Sequence, residues 1–349
     1  MKVKKKERVL YYDILNILAI ISVVALHCGG IGNTFSTERW WKTSLIIEVV
    51  CYFAVPIFIM ISGANLLNYR EKYDTKTFFM KRFNRVVIPA IAWFTIMAIW
   101  KILIIKTIDV SSMNIADFAN LILENKLEFT YYYIFVILGL YLTMPLLSQL
   151  TDDKYRKTLW YVVGIFFIFN SLLPGVLLLF KIKWNNDFSI LISCYVMYAI
   201  LGYLLSTQDI QKKYRYVIYI FAVLGMIYRY VTTYIFSYAA GENVIMTWKG
   251  HSQFAVIILS CALFLLVKNI NFKKLEENKK ISNVISKISS CSFGVYLLHL
   301  IVKYYEVELF NISTHSWQWR TIGCLTTYLI SLLIVLILKK IPIIKKIVA

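Results

Sequence analysis

Residues 10–30 read LYYDILNILAIISVVALHCGG, an apolar run that is long enough to cross a bilayer as one helix. A spanning helix needs about 20 mostly apolar residues. His27 stands near the end of the run and is one of only four histidines in the chain. Ionisable groups in such segments are costly and usually have a partner or a function. The run therefore predicts a membrane helix with a proton-transfer group near one face.

The composition extends this pattern over the whole chain. Of 349 residues, 59% are hydrophobic and 16% are charged, and the mean hydropathy is +0.66. Soluble domains are less apolar, and here apolar runs recur along the full length. We therefore expect an all-α, polytopic transmembrane helical bundle that forms a single domain over residues 1–349. No separate soluble domain is predicted, and the expected location is the plasma membrane.

Apolar runs of spanning length occur ten times in the sequence. They lie at roughly 10–30, 45–67, 86–106, 131–150, 158–180, 188–206, 216–236, 252–268, 290–310 and 319–338. The loops between them alternate in charge. The N-terminus, the even-numbered loops and the C-terminal tail together hold 27 of the 38 basic residues, whereas the other loops hold 8.

The net charge of +19 would suggest a nucleic-acid partner in a soluble protein. Here it follows the rule that cytoplasmic loops are rich in lysine and arginine, so no nucleic-acid partner is expected. The rule predicts that both termini are cytoplasmic. His27 then lies near the outer face, and Asp13 lies near the cytoplasmic face. At ~1.5 Å per residue they are about 21 Å apart along one helix and cannot form a dyad.

Five segments together resemble the acyltransferase-3 family of integral membrane acyltransferases. They are YYDILNILAIISVVALHC (11–28), VPIFIMISGANLL (55–67), MKRFNRVVIPAIAW (80–93), YYYIFVILGLYLTMPLL (131–147) and CSFGVYLLH (291–299). Each segment is weak alone, but their order and spacing over nearly the whole chain are specific. One departure is Asn16, which stands eleven positions before His27, where the family usually carries an arginine.

The resemblance implies transfer of an acyl group, commonly acetyl, from a cytoplasmic acyl-CoA. The implied acceptor is a hydroxyl on a surface glycan, a wall polymer or a lipid-linked sugar of a bacterium. No metal is expected. His27 would be the catalytic base, since an imidazole titrates near neutral pH, or it would carry the acyl group transiently. Glu48 is the candidate that would orient His27.

Arg82 and Arg85 match an RxxR pattern before the third span and would bind the phosphates of coenzyme A, because guanidinium groups pair with phosphate in a bidentate manner. Their alternative role is to set topology. Asp13 would complete this donor site through an ion pair with either arginine, or it is only an acid at a favourable helix start.

Further polar residues in or next to the predicted spans are candidates for an acceptor site or a tunnel. They are Asn16, Arg229, His251 and His299. His299 is expected near mid-membrane, where a structural hydrogen bond is the simpler interpretation. The competing class is a transporter or flippase, which polar residues spread through the spans would also suit. No paired broken helices or half-chain symmetry typical of many transporters is visible. A sensor or binding role is a third hypothesis.

Overall fold

The computed structural model describes residues 9–30, 34–111, 113–185, 190, 192–242, 250–342 and 344–348. Every regular element among them is helical. The α-helices are α1 (Leu10–Gly29), α2 (Arg39–Cys51), α3 (Ala54–Leu66), α4 (Thr75–Arg82), α5 (Ile88–Ile99), α6 (Ile115–Leu123), α7 (Tyr132–Leu147), α8 (Arg156–Phe167), α9 (Leu173–Leu179), α10 (Cys194–Thr207), α11 (Lys212–Ala240), α12 (Phe254–Lys268), α13 (Lys273–Glu277), α14 (Lys279–Ser289), α15 (Ser292–Phe310) and α16 (Cys324–Leu338).

Four wider, π-helical turns join or extend these helices. They are Phe83–Val87, Trp100–Ile104, Ile168–Leu172 and Trp319–Gly323. Turns of this kind are rare and are often found at functional sites. The first one directly follows α4, so it lies in the RxxR segment and contains Arg85.

The helices long and apolar enough to cross a membrane are fewer than the ten predicted spans. In the described part of the chain there are seven: Leu10–Gly29, Arg39–Glu71, Thr75–Ile104, Phe129–Leu150, Asp153–Leu179, Lys212–Ala240 and Trp319–Leu338. The pair α14 and α15 adds an eighth only if its 55° bend belongs to one span. The helices α10 and α12 are apolar but have only 14 and 15 residues.

Each predicted run thus contains a helix, but the count of ten spans is not confirmed. The location of the termini remains a prediction. Part of the charge pattern behind it, residues 2–8 and Lys249, lies outside the described residues.

Two glycines allow α3 and α10 to pack with their backbones in contact. A Cβ atom on Gly63 would lie 2.0 Å from the carbonyl oxygen of Ala199, and one on Gly202 would lie 2.0 Å from that of Met60. Such close approach through small residues is typical of helix pairs in membranes. Residues of α3 also line the cavity described below, so this contact fixes one of its walls.

The first helix lies at the centre of the arrangement. α1 packs against α2, α3, α14, α15 and α16. Leu15 and Ala19 on α1 are fully buried, and Asp13 is 6% exposed. Because α1 is surrounded on several sides, its polar residues can contact residues that are far away in the sequence. These contacts form the candidate site described next.

Candidate active site

A cavity of about 770 Å³ lies among α1, α3, α7, the RxxR segment and the bend between α14 and α15. This is within the range of small-molecule and cofactor sites. Asp13, Asn16, Arg82 and Arg85 all line it. The structure therefore brings together the three predicted donor-binding residues and Asn16, which come from two separate segments of the chain.

Asn16 is the hydrogen-bonding centre of the bend between α14 and α15. Its amide Nδ2 donates to the carbonyl oxygen of Ser289 at 2.8 Å, to the Ser289 hydroxyl at 3.0 Å and to the Ser292 hydroxyl at 3.1 Å. One turn lower on α1, Asp13 accepts from the Ser286 hydroxyl at 2.8 Å. A neutral amide group suits this position, because it can donate hydrogen bonds to the backbone carbonyl oxygen and the two hydroxyl groups around it without adding a charge.

Three cations line this cavity. Besides Arg82 and Arg85, the third is Lys339, whose ammonium also donates to the carbonyl oxygen of Ser290 at 2.6 Å. The Arg82 Nε is buried and has no hydrogen-bond acceptor among the described residues. Guanidinium and ammonium groups around one cavity form a site for an anionic, phosphate-bearing ligand. From the sequence alone, Lys339 is one of the basic residues of the C-terminal tail, and nothing in the pattern predicts that it lines a cavity.

His27 is paired with His299 rather than isolated at the end of α1. Its Nδ1 lies 2.7 Å from the Nε2 of His299, and the two rings are stacked at a 17° angle. The Nδ1 of His299 faces two carbonyl oxygens, those of Tyr296 at 2.7 Å and Val295 at 3.1 Å. The contact places His299 beside the end of α1, a pairing that the sequence pattern did not predict.

The partners of His299 determine where the protons of this pair lie. Carbonyl oxygens only accept, so the Nδ1 of His299 must carry its proton. His299 is fully buried, and the ammonium of Lys303 lies one turn away, so a second positive charge is disfavoured there. The Nε2 of a neutral His299 is then an acceptor, and Nδ1–H of His27 donates to it. This leaves the lone pair of a neutral His27 on Nε2.

Lys303 holds the end of α1 in place. Its ammonium donates to the carbonyl oxygen of His27 at 2.6 Å. The last carbonyl groups of a helix have no partner inside the helix, and a lysine can satisfy one of them while its charge complements the helix dipole. His299 and Lys303 are four residues apart on α15, so one face of that helix orients both the ring and the backbone of His27.

Tyr296 connects the cavity to the histidine pair. Its side chain lines the cavity, and its carbonyl oxygen accepts from His299 at 2.7 Å. The rings of Tyr296 and His299 have their centroids 6.3 Å apart. The hydroxyl group donates to the carbonyl oxygen of Thr130 at 2.6 Å, which fixes the ring. A single residue, Tyr296, therefore contacts both the cavity and the histidine pair.

Glu48 and Arg229 form a second buried polar region beside the end of α1. Both are 3% exposed and attract each other electrostatically. A Cβ atom on Gly30 would lie 3.4 Å from the Glu48 carboxylate, so this carboxylate reaches the chain three residues beyond His27. Arg229 also donates to the carbonyl oxygen of Val49 at 3.4 Å.

Tyr52 joins His251 to this second region. The Arg229 guanidinium lies 4.8 Å from the centre of the Tyr52 ring, and the His251 ring stacks on the same tyrosine at 4.8 Å. The hydroxyl of Tyr132 lies 3.2 Å from the Nε2 of His251. The three predicted residues Glu48, Arg229 and His251 are thus brought together, and the connecting tyrosine was not singled out in the sequence.

Comparison with known proteins identifies the class. The chain matches the model of the Acyl_transf_3 family, described as an acyltransferase domain, over residues 9–336. Since the match covers nearly the whole chain, the protein belongs to this family, and the resemblance found in the sequence is confirmed. No curated protein and no solved structure is significantly similar to the chain.

Family membership makes the protein an enzyme, an acyltransferase, and the apolar helices place it in a membrane. The transporter interpretation has no comparable support. Among the described residues, no group of three or more histidine, cysteine or acidic side chains is arranged to hold a metal ion.

Proposed function

We propose that the protein transfers an acyl group, commonly acetyl, from acyl-CoA to a hydroxyl of a surface glycan, wall polymer or lipid-linked sugar in a bacterial plasma membrane. The family supports an acyl transfer in general. The cations Arg82, Arg85 and Lys339 supply the charge that the phosphates of coenzyme A need. The nearby Asn16 carries no charge, and the family arginine is absent there.

The observation that carries the proposal is the continuity from the cavity to His27. Tyr296 lines the cavity and bonds His299, and His299 bonds His27. A donor held by its phosphates at the cations would extend its thioester towards Tyr296. Asp13 completes the cavity wall near the cations, where its bond from Ser286 keeps the α14 segment in place.

The chemical step uses the lone pair of His27 Nε2. This nitrogen takes the proton of the acceptor hydroxyl while the oxygen attacks the thioester carbonyl carbon. The tetrahedral adduct then breaks its carbon–sulfur bond. The departing thiolate receives the proton from His27, so the products are an ester and free coenzyme A. During the step, the imidazolium keeps its Nδ1–H bond to His299, and that bond becomes charge-assisted.

The acceptor would approach from the side of Glu48, Arg229 and His251. Aromatic rings beside a carboxylate and a guanidinium suit a sugar, which offers apolar ring faces and many hydroxyl groups. With the predicted topology, this region faces outward and the donor stays on the cytoplasmic side. In a second arrangement, donor and base would both work from the cytoplasmic half. A cysteine placed beside His27 that is labelled only from the cytoplasm would exclude the first arrangement.

A donor-consumption assay tests the proposal. Membranes containing the protein and its native acceptors would be incubated with radiolabelled acetyl-CoA, and free thiol and labelled glycan would be measured. We expect both signals to fall by about 10² or more in His27→Ala, because general base catalysis contributes about 10²–10⁴. The control is His315→Ala, since His315 stacks on Trp40 at 4.1 Å away from the cavity. Unchanged transfer in His27→Ala would exclude the proposed base.

A further inference from the structure

A second cavity lies on the outside of the bundle, between α4, the first π-helical turn and α7. Its volume is about 670 Å³, which would accommodate a chain-like ligand. The lining is apolar apart from two cations and one tyrosine. We call it the lateral groove, and its lining residues that matter here are Lys76, Phe79, Arg82, Phe83, Tyr141 and Leu142.

The apolar part of the lateral groove is exposed within candidate membrane spans. Phe83 is 49% exposed and Leu142 is 70% exposed, and both belong to stretches that are long enough to cross a bilayer. Phe79 and Phe83 are four residues apart, so they extend along one side of the segment that follows Lys76. An exposed apolar surface of this kind is expected to contact the hydrocarbon part of the membrane.

Among the described residues, no carboxylate lines the charged part of the groove. The nearby Asp74 carboxylate interacts with Lys76 only through longer-range electrostatics. Neither Lys76 nor Arg82 takes part in an ion pair among the described residues. The Nε of Arg82 is buried with no acceptor in that same part of the chain. Its guanidinium lies over the rings of Phe78 and Tyr141, 5.8 Å and 5.6 Å from their centres. A donor group this buried needs an oxygen acceptor.

We propose that the lateral groove binds an anionic glycerophospholipid. Its phosphate lies between Lys76 and Arg82, and one acyl chain follows Phe79, Phe83 and Leu142. Two cations in a lining that contains no carboxylate favour a lipid with a net negative charge over a zwitterionic one, because basic residues at a bilayer surface attract anionic headgroups. An arginine can hold the phosphate through two parallel hydrogen bonds.

Lipid bound in the lateral groove is expected to affect binding of the acyl donor, because the two sites share Arg82. Arg82 and Tyr141 line both the lateral groove and the larger cavity. A lipid phosphate on Arg82 occupies a cation that the donor would also use, so the lipid raises the KM for the donor. This consequence rests on the proposed function, whereas the lipid site itself does not.

Native mass spectrometry of the detergent-solubilised protein, with no acyl donor present, tests the lipid site. The protein would be titrated with phosphatidylglycerol and, separately, with phosphatidylcholine. We expect one preferred phosphatidylglycerol adduct, bound about fivefold more weakly by Lys76→Gln, since one basic residue contributes about 1 kcal/mol to such binding. The matched control is Lys81→Gln on the same helix, because the Lys81 ammonium lies over the Tyr73 ring at 3.8 Å, away from the groove.

A second variant, Leu142→Asp, tests the acyl-chain path without touching either cation, and it should weaken the same adduct. The site is excluded if Lys76→Gln and Leu142→Asp both retain wild-type affinity for phosphatidylglycerol. It is also excluded if phosphatidylcholine binds as tightly. Because this measurement needs no turnover, its failure would leave the acyl-transfer proposal standing, and a failed transfer assay would leave the lipid site standing.

Discussion

The Nε2 of His299 lies 2.7 Å from the Nδ1 of His27, although 272 residues separate the two in the chain. His299 plays the part that a carboxylate plays in many catalytic dyads, but it does so as a neutral acceptor. Its own proton is committed to backbone carbonyls. The tautomer of a neutral His27, and with it the nitrogen that we propose as the base, is therefore selected by hydrogen bonds to the backbone of α15.

Replacing His299 by phenylalanine should lower kcat and leave the donor KM nearly unchanged. A planar aromatic ring is kept, but the acceptor for Nδ1–H of His27 is lost, so the tautomer of His27 is no longer fixed. We expect a fall in kcat of about 10², measured by release of free thiol from acetyl-CoA. His315→Phe should behave as wild type. A rise in donor KM with kcat intact would contradict this positioning role.

Neutralising Arg85 or Lys339 should act on donor binding instead. Arg85→Gln and Lys339→Gln are each expected to raise the donor KM roughly tenfold, because a hydrogen bond to a charged group contributes about 1.5–3 kcal/mol. The kcat should stay within about twofold, since the proposed role of both residues is to hold the donor and not to transfer protons. The control is Arg156→Gln, a cation at the first residue of α8 that pairs with Asp153. Loss of kcat at constant KM would show that these cations do not bind the donor.

Adding one methyl group to Gly202 should destabilise the protein. The new Cβ would lie 2.0 Å from the carbonyl oxygen of Met60, so α3 and α10 would have to separate. Overpacking of this kind costs about 1–3 kcal/mol, and thermal unfolding in detergent should show a lower Tm. Gly139→Ala is the matched control, since nothing lies within 4 Å of the added atom. That variant should gain roughly 0.5–1 kcal/mol from helix propensity, and an equal loss in both variants would contradict the packing argument.

Acid should weaken the start of α4 through Asp74. Its carboxylate accepts from the backbone N–H of Thr77 at 3.1 Å, and the hydrogen bonds from Thr77 hold the pKa of Asp74 below its ordinary value. A lowered pKa in the folded state means that the stabilisation is present above the unfolded pKa, near 4, and is lost as pH falls through the folded value.

Asp74→Asn keeps an oxygen that can cap the helix but does not titrate. We expect its Tm to depend less on pH than that of the wild type below about pH 4. The measurement is thermal unfolding between neutral and acidic pH. Identical acid dependence in the two proteins would show that the cap does not contribute through its charge.

Local pattern predicted much of the fold, because hydropathy and charge are properties of neighbouring residues. Each apolar run contains a helix, and Asp13, Asn16, Arg82 and Arg85 do line one cavity. The lengths of the helices could not be predicted as well from the sequence. The run at 188–206 contains a 14-residue helix, whereas the helix in the run at 216–236 extends over 29 residues. Hydropathy indicates which residues are apolar enough to contact lipid, but it does not indicate at which residue a helix begins or ends.

The missed features depend on contacts between distant segments. Depth estimates along single helices put His299 at mid-membrane, and only the packing of α15 on α1 shows that it meets His27. Lys339 was one charge among many in the tail, and its place in the cavity follows from the packing of α16. Tyr131 makes another contact of this kind, because it is fully buried and its hydroxyl donates to the carbonyl oxygen of Leu297 at 2.7 Å.

The helix α15 contributes to both the cavity and the base. Ser292 and Tyr296 belong to the cavity wall, and His299 and Lys303, on the following turns, hold His27. A helix of this length moves as a stiff rod, so a ligand that displaces the wall also turns the imidazole. Occupancy of the cavity and the orientation of the proposed base are therefore expected to be coupled through this one helix.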